Sequence, residues 1–154
     1  VREIMYKRFE ALGIKRYRIL LRRDSRHGQM MADYSDIDIV LDTYPFNGGM
    51  TSLEALWMGV PIVTLAGKTP ASRQTGSFLQ LLGLNNLITY KPHDYITAAV
   101  ALAADKERLY DIRGTLRQRM LESPLMDGIL FARNVEALLF KMYNEQLEKQ
   151  QSTC

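Results

Sequence analysis

The chain has 154 residues, of which 47% are hydrophobic and 24% are charged, and its formal net charge is +3. This composition is typical of a folded globular domain and excludes a disordered tail, a collagen and a coiled coil. No apolar run approaches the roughly 20 residues of a membrane span, and a single cysteine, Cys154, excludes a disulfide framework and a thiolate metal cluster.

The basic excess contains no cationic run, so we expect neither nucleic acid nor a membrane as a partner. The chain opens on Val1 with no initiator methionine and no signal peptide. We therefore expect a piece of a longer protein.

The first half of the chain predicts helices that alternate with short strands. Apolar periodicity predicts a helix over residues 2–12, a strand over Tyr17–Leu21 and a short helix capped by Ser25. The apolar, β-branched run Ile37–Leu41 predicts a strand buried on both faces. Residues 51–58 are apolar nearly all round and predict a buried helix.

The second half predicts two further strands, Pro61–Leu65 and Leu87–Thr89, with a helix ending at Leu82 between them. Three more helices are expected over residues 93–104, 106–121 and 127–148. Alternating strands and helices indicate βαβ units, so we predict an α/β fold, a Rossmann-like parallel sheet of four strands with helices on both faces. We expect one domain over residues 1–148, with the C-terminal helices packed on the sheet, and a frayed tail over 149–154.

The strongest functional signal is the glycine-containing loop between the Ile37–Leu41 strand and the next helix. Its glycines let the backbone approach a ligand, and the helix start presents free N–H groups and a positive dipole to an anion. Glu54, one turn into the helix, can accept hydrogen bonds from ribose hydroxyls. The alternative is a plain βα turn with Thr51 as the N-cap. The predicted ligand-binding residues here are Asn47, Gly48, Gly49, Met50, Thr51, Ser52 and Glu54.

Polar residues also follow two other predicted strands. Ser25 and His27 are expected at the carboxyl edge of the sheet, where they could touch a base or a phosphate; the alternative is a surface histidine beside a helix cap. Lys68 and Arg73 could hold phosphate or line an acceptor groove; the alternative is a pair of solvated charges or a structural ion pair. With two histidines far apart in sequence, we predict no metal site.

The sequence DIDIVLDTYPFNGGMTSLEALWMGVP at Asp36–Pro61 closely resembles the O-GlcNAc transferase and SPINDLY-like glycosyltransferase family, in its bacterial form. The resemblance continues at Gly67–Arg73, Leu82–Leu84, Arg113–Arg117 and Ser123–Leu125. It implies a GT-B fold, in which two Rossmann-like domains face each other across a cleft. This chain resembles the C-terminal half, which holds the sugar nucleotide.

The resemblance also implies roles for individual residues. Gly49, Met50 and Thr51 match positions that contact the diphosphate, and Glu54 matches an acidic contact to the ribose. The positions beside the uracil are matched by Ser25 and His27. The catalytic residues are expected on the N-terminal domain of the family.

We therefore predict the sugar-nucleotide-binding domain of an inverting protein O-glycosyltransferase, with UDP-GlcNAc or a related UDP-sugar as donor and a protein as acceptor. The resemblance implies no metal and no cofactor, and an N-terminal GT-B domain and TPR repeats in the same longer chain. Because nothing in the sequence points to secretion or a membrane, we expect a cytoplasmic location. One alternative is a non-catalytic nucleotide-binding or interaction module. The other is a GT-B transferase that acts on a different acceptor, a glycan or a lipid.

Overall fold

The structure is a computed structural model that describes residues 1–23 and 25–151, and the side chains of residues 1–23 and 25–149. The contacts within the chain form two compact units, Val1–Ala32 and Asp33–Cys154. The single domain over residues 1–148 stays a prediction. Of the expected tail over 149–154, residues 152–154 lie outside the described part.

The first unit begins with helix α1 (Arg2–Ala11), which confirms the predicted N-terminal helix. It ends where Gly13 adopts a left-handed φ of +79°, a conformation that glycine enters without strain. A short 3₁₀ turn follows at Arg16–Arg18, and helix α2 spans His27–Asp33.

The strand predicted over Tyr17–Leu21 is wrong, because these residues form a turn and an unpaired extended segment. The apolar side chains of this run are not fully buried: Ile19 and Leu21 are half-buried, Tyr17 is 81% exposed and Leu20 is 76% exposed. An amphipathic pattern becomes a stable strand only where one face packs and a neighbouring strand pairs with it.

The second unit contains a parallel three-stranded sheet in the order β1-β2-β3. Its strands are β1 (Val40–Leu41), β2 (Ile62–Leu65) and β3 (Ile88–Thr89). In this register Val40 lies opposite Ile62, and Thr64 lies opposite Ile88. Three of the four predicted strands are therefore confirmed, and all of them run parallel as expected.

Five helices belong to the second unit, each close to its predicted position. They are α3 (Met50–Trp57), α4 (Gln74–Leu81), α5 (Pro92–Ala104), α6 (Lys106–Leu121) and α7 (Gly128–Gln151). Gly59 and Gly83 follow α3 and α4 with φ of +78° and +72°. Asp105 caps α6, since its side chain accepts the N–H of Arg108 at 3.0 Å.

The core of this unit lies between the sheet and four helices. Helices α3, α4 and α5 contact β2, and α6 packs on α3 and α5. The fully buried apolar side chains are Leu56, Val60, Ile62, Val63, Leu79, Leu87, Leu102 and Leu116. The prediction that Ile37–Leu41 is buried on both faces is wrong, because β1 lies at the edge of the described sheet and Leu41 is 58% exposed.

The prediction that all C-terminal helices pack on the sheet holds for α5 and is wrong for α7. The apolar side chains of α7 stay exposed, among them Phe131, Val135, Leu138 and Met142. Three helices already contact the short strand β2, which leaves little sheet surface for a helix of 24 residues. No helix in the described part of the chain combines the length and apolarity needed to cross a membrane.

Candidate functional site

The loop from β1 to α3 is built around a buried carboxylate. Asp42 directly follows β1, and only 9% of its surface is exposed. Its Oδ1 accepts the backbone N–H of Thr43 at 2.9 Å and of Gly48 at 2.8 Å, and its Oδ2 accepts the hydroxyl of Thr64 in β2 at 2.6 Å. One side chain therefore holds both ends of the loop against the sheet.

Asn47 holds the same loop from within. Its side-chain amide donates to the carbonyl of Thr43 at 2.8 Å, and its backbone N–H donates to the carbonyl of Ala71 at 2.9 Å. Asn47 is fully buried, and its Oδ1 has no hydrogen-bond partner among the residues that the structure describes. The structure thus places Asn47 behind the loop, where it supports the backbone.

The two glycines lie close to neighbouring side chains. A Cβ at Gly48 would overlap the hydroxyl of Ser52 and lie 3.1 Å from the hydroxyl oxygen of Thr51. A Cβ at Gly49 would lie 2.9 Å from Oε1 of Gln74, the end of a flexible side chain that can move aside. The requirement for glycine is therefore strict at Gly48 and weaker at Gly49.

The start of α3 is open. Gly49 is the N-cap of the helix and lacks a side chain, so the alternative in which Thr51 caps the helix is wrong. The N–H groups of Gly49, Met50 and Thr51 have no acceptor within the described residues, and Met50 is 70% exposed. Unpaired N–H groups and the helix dipole together favour an anion at this position.

Ser52 and Thr75 join the first turns of α3 and α4. Their hydroxyl oxygens lie 2.9 Å apart, both residues are buried, and Thr75 also donates to the carbonyl of Gly48 at 3.1 Å. Arg73 is the N-cap of α4. The structure therefore brings Arg73 to the helix that adjoins the loop.

A cavity of about 130 Å³ lies between β1 and the first turn of α3, and Tyr34, Asp42, Gly48 and Thr51 are among the residues that line it. The Tyr34 hydroxyl donates to the carbonyl of Thr51 at 3.1 Å. Burial, and secondarily the negative charge of Glu54, raise the pKa of Tyr34 above its ordinary value. Glu54 is half-buried in α3, and its charge acts on Tyr34, which lines this cavity.

The remaining predicted residues are placed as follows. Arg73 lines a second cavity of about 100 Å³, together with Gln80 and Tyr90 beyond β3. Ser25 and His27 lie in the first unit, where both are exposed and His27 begins α2. The described residues contain no cluster of three or more His, Cys, Asp or Glu side chains that could hold a metal ion.

Three residues that build this site were not among the predicted site residues, namely Asp42, Tyr34 and Thr75. The signal for Asp42 was available, because a carboxylate that ends a strand just before a glycine loop can accept the N–H groups of that loop. Tyr34 and Thr75 carry no such local signal, since they meet Thr51 and Ser52 only through the fold.

Comparison with known proteins gives a consistent result. The sequence model of glycosyl transferase family 41 matches residues 2–135. A relative from Solanum lycopersicum, named as a probable UDP-N-acetylglucosamine–peptide N-acetylglucosaminyltransferase SPINDLY, is 38% identical over 144 residues, which cover 93% of this chain and 16% of the relative. A relative from Arabidopsis thaliana is named as a probable UDP-N-acetylglucosamine–peptide N-acetylglucosaminyltransferase SEC. It is 36% identical over 115 residues, which cover 74% of this chain and 12% of the relative.

A solved structure shows the same similarity. The structure of a mutant O-GlcNAc transferase from Thermobaculum terrenum superposes with a TM-score of 0.85 and 35% sequence identity. The match covers 92% of this chain and 27% of that structure. This chain therefore spans about a quarter of the solved enzyme and about a sixth of the tomato relative.

Proposed function

The chain belongs to glycosyl transferase family 41, and from this premise we propose that it is the sugar-nucleotide-binding domain of an inverting protein O-glycosyltransferase. The predicted resemblance to the O-GlcNAc transferase and SPINDLY-like family is confirmed. So is the fold class, a Rossmann-like parallel sheet from the C-terminal half of a GT-B enzyme. The donor, the acceptor and the transfer step are proposals, because the chain spans only a part of its relatives.

The observation that carries this proposal is the open start of α3. Gly49, Met50 and Thr51 offer three N–H groups without acceptors in the described structure, and the preceding backbone has no room for side chains. A diphosphate matches this arrangement, since it is an anion with several acceptor oxygens and needs close approach to the backbone. The diphosphate of UDP-GlcNAc or a related UDP-sugar is the ligand that we propose here.

The nucleoside part of the donor is assigned to the surrounding residues. Glu54 lies one turn into α3, where its carboxylate can accept the two ribose hydroxyls. Ser25 and His27 are proposed beside the uracil. Arg73, at the start of the adjoining helix, is proposed as a cation for the phosphates or for the acceptor.

The proposed reaction needs stabilisation of the leaving group. The acceptor hydroxyl oxygen of Ser or Thr attacks the anomeric carbon, the bond from that carbon to the β-phosphate oxygen breaks, and the hydroxyl proton passes to a base. UDP leaves with an additional negative charge. Fixed N–H donors at the start of α3 stabilise that charge without reorganisation, and this is how preorganised sites lower a barrier.

Several parts of the proposal rest on the family or the sequence alone. The enzyme is proposed to act without metal or cofactor, in the cytoplasm. The base and other catalytic groups are assigned to an N-terminal GT-B domain, and TPR repeats are proposed in the same longer chain.

The experiment that tests this function is a transfer assay on a protein extended by the N-terminal part that the relatives carry. With UDP-GlcNAc and peptides containing Ser or Thr, we expect transfer that persists in the presence of a metal chelator. UDP binding without any transfer would indicate a non-catalytic module. Absence of both binding and transfer would contradict the proposal.

A further inference from the structure

We propose that Asp42 is a positioning residue that decides which N–H groups of the loop remain available to the donor diphosphate. This inference rests on the proposed function and deepens it, because it names the residue that gives the diphosphate loop its shape. Asp42 itself is not assigned any contact with the donor.

The backbone N–H groups of the loop fall into two sets, those with an acceptor inside the protein and those without one in the described structure. The N–H groups of Thr43 and Gly48 both donate hydrogen bonds to Oδ1 of Asp42, at 2.9 and 2.8 Å. The N–H of Asn47 is used by the carbonyl of Ala71. The first N–H after these that has no acceptor in the described structure is that of Gly49. The carboxylate therefore marks the boundary between N–H groups that hold the loop and N–H groups that can hold a ligand.

Asp42 is itself fixed by two other elements, β2 and α5. Its Oδ2 accepts the hydroxyl of Thr64 from β2, and Thr64 is fully buried. Its backbone carbonyl accepts the hydroxyl of Tyr95 from α5 at 2.9 Å. Asp42 is thus held through its carboxylate by the sheet and through its backbone carbonyl by α5, so the oxygen that accepts the N–H of Gly48 is kept in one position.

The shape of the Asp42 side chain and its charge have opposite effects on a bound anion. The carboxylate is negative and lies behind an anion-binding loop, so its charge opposes the diphosphate. The useful property of the side chain is therefore the placement of an acceptor oxygen for Thr43 and Gly48. An asparagine at this position keeps one oxygen for these two N–H groups and can donate its amide to the hydroxyl oxygen of Thr64.

The experiment compares UDP binding by the full 154-residue chain and four variants, with amide hydrogen exchange at Gly48 as a second readout. Asp42→Ala is expected to weaken UDP binding by at least about tenfold and to remove the protection of the Gly48 amide. Asp42→Asn is expected to restore binding to within about threefold of the wild-type chain and to restore the protection.

A matched pair of threonine variants covers the case in which Asp42→Ala does not fold. Thr64→Val removes the hydroxyl that fixes Asp42, and we expect weaker UDP binding. Thr89→Val removes another buried hydroxyl, which donates to the carbonyl of Thr64 at 2.8 Å and does not contact Asp42. Thr89→Val is expected to lower the free energy of unfolding about as much as Thr64→Val does and to leave UDP binding unchanged.

The outcomes separate this inference from the function on which it rests. If the wild-type chain binds UDP and a folded Asp42→Ala variant binds it equally well, the role of Asp42 is overturned and the function stands. Equal UDP binding by Thr64→Val and Thr89→Val would overturn the role of Asp42 in the same way. A wild-type chain that does not bind UDP would overturn the proposed function and this inference together.

Discussion

The hydroxyl oxygens of Ser52 and Thr75 lie 2.9 Å apart and join the first turn of α3 to the first turn of α4. Thr75 has one proton and donates it to the carbonyl of Gly48 at 3.1 Å, so Ser52 is the donor to Thr75. The position of the loop between β1 and α3 therefore depends on Thr75, which lies 23 positions after Ser52 in the chain.

Thr75→Val tests this connection. The substitution leaves the Ser52 hydroxyl and the Gly48 carbonyl without their buried partner, and each such loss costs about 1–3 kcal/mol. Because two groups lose their partner, we expect the free energy of unfolding to fall by at least about 1–3 kcal/mol, the cost of one such loss, measured by urea denaturation. Ser77→Ala is the matched control, because the exposed Ser77 hydroxyl makes only a bond to the carbonyl of Gln74 in the same helix. Equal denaturation midpoints for the two variants would contradict the prediction.

Gly48→Ala tests how tightly the loop packs. The added Cβ would overlap the Ser52 hydroxyl, so the loop must move away from α3 and we expect a large loss of UDP affinity. Gly114→Ala is the control, since Gly114 lies within α6 and nothing surrounds the added Cβ within 4 Å. That control is expected to stabilise the helix by up to about 1 kcal/mol. If Gly48→Ala binds UDP as the wild-type chain does, the loop is more adaptable than its contacts indicate.

The pH dependence of stability follows from Tyr34 and Tyr95. Burial is the main cause that raises the pKa of each phenol above 10.0, with smaller effects from the charges of Glu54 on Tyr34 and of Asp42 on Tyr95. A raised folded-state pKa stabilises the fold below the unfolded-state pKa, and this contribution is lost as the pH rises through the folded-state pKa. We therefore expect stability to decline above about pH 10.

Urea denaturation at neutral pH and above pH 10 checks this decline. Tyr34→Phe and Tyr95→Phe are expected to lose less stability than the wild-type chain over that interval, because each lacks one of the two phenols. Tyr110→Phe, whose ring is exposed, serves as the control. An identical alkaline decline in the wild-type chain and in both Phe variants would show that these phenols do not contribute.

The sequence predicted local features better than long-range ones. The glycine loop and the start of α3 were predictable, because the loop chemistry and the helix periodicity both lie within the short segment 41–57. The roles of Tyr34 and Thr75 were not predictable, since their partners are reached only when the sheet and α4 have formed.

Two wrong predictions have a shared physical cause. The pattern of Tyr17–Leu21 indicates a strand and that of α7 indicates a packed face, yet no apolar side chain of the first segment is fully buried and those of α7 stay exposed. Periodicity reports which side chains could be buried together. Whether a second surface covers them depends on the rest of the fold.

A further prediction concerns the chain by itself. A GT-B active site lies between two domains, so we expect the 154-residue chain to bind UDP weakly and to transfer no sugar from UDP-GlcNAc to a peptide. A radiolabelled transfer assay on the purified chain checks this. Transfer by the chain alone would show that the residues described here are sufficient for catalysis.

The most direct test of the central claim is titration calorimetry of UDP and its 2′-deoxyribose analogue with the wild-type chain and with Glu54→Ala. Loss of a charged hydrogen-bond partner costs about 1.5–3 kcal/mol, which corresponds to UDP binding weaker by roughly ten- to a hundredfold. Glu136→Ala, which removes an exposed carboxylate from α7, is the control. We predict that Glu54→Ala weakens UDP binding to this extent and removes the preference for UDP over the deoxy analogue. Equal UDP affinity of the wild-type chain and Glu54→Ala would contradict the placement of the donor at the start of α3.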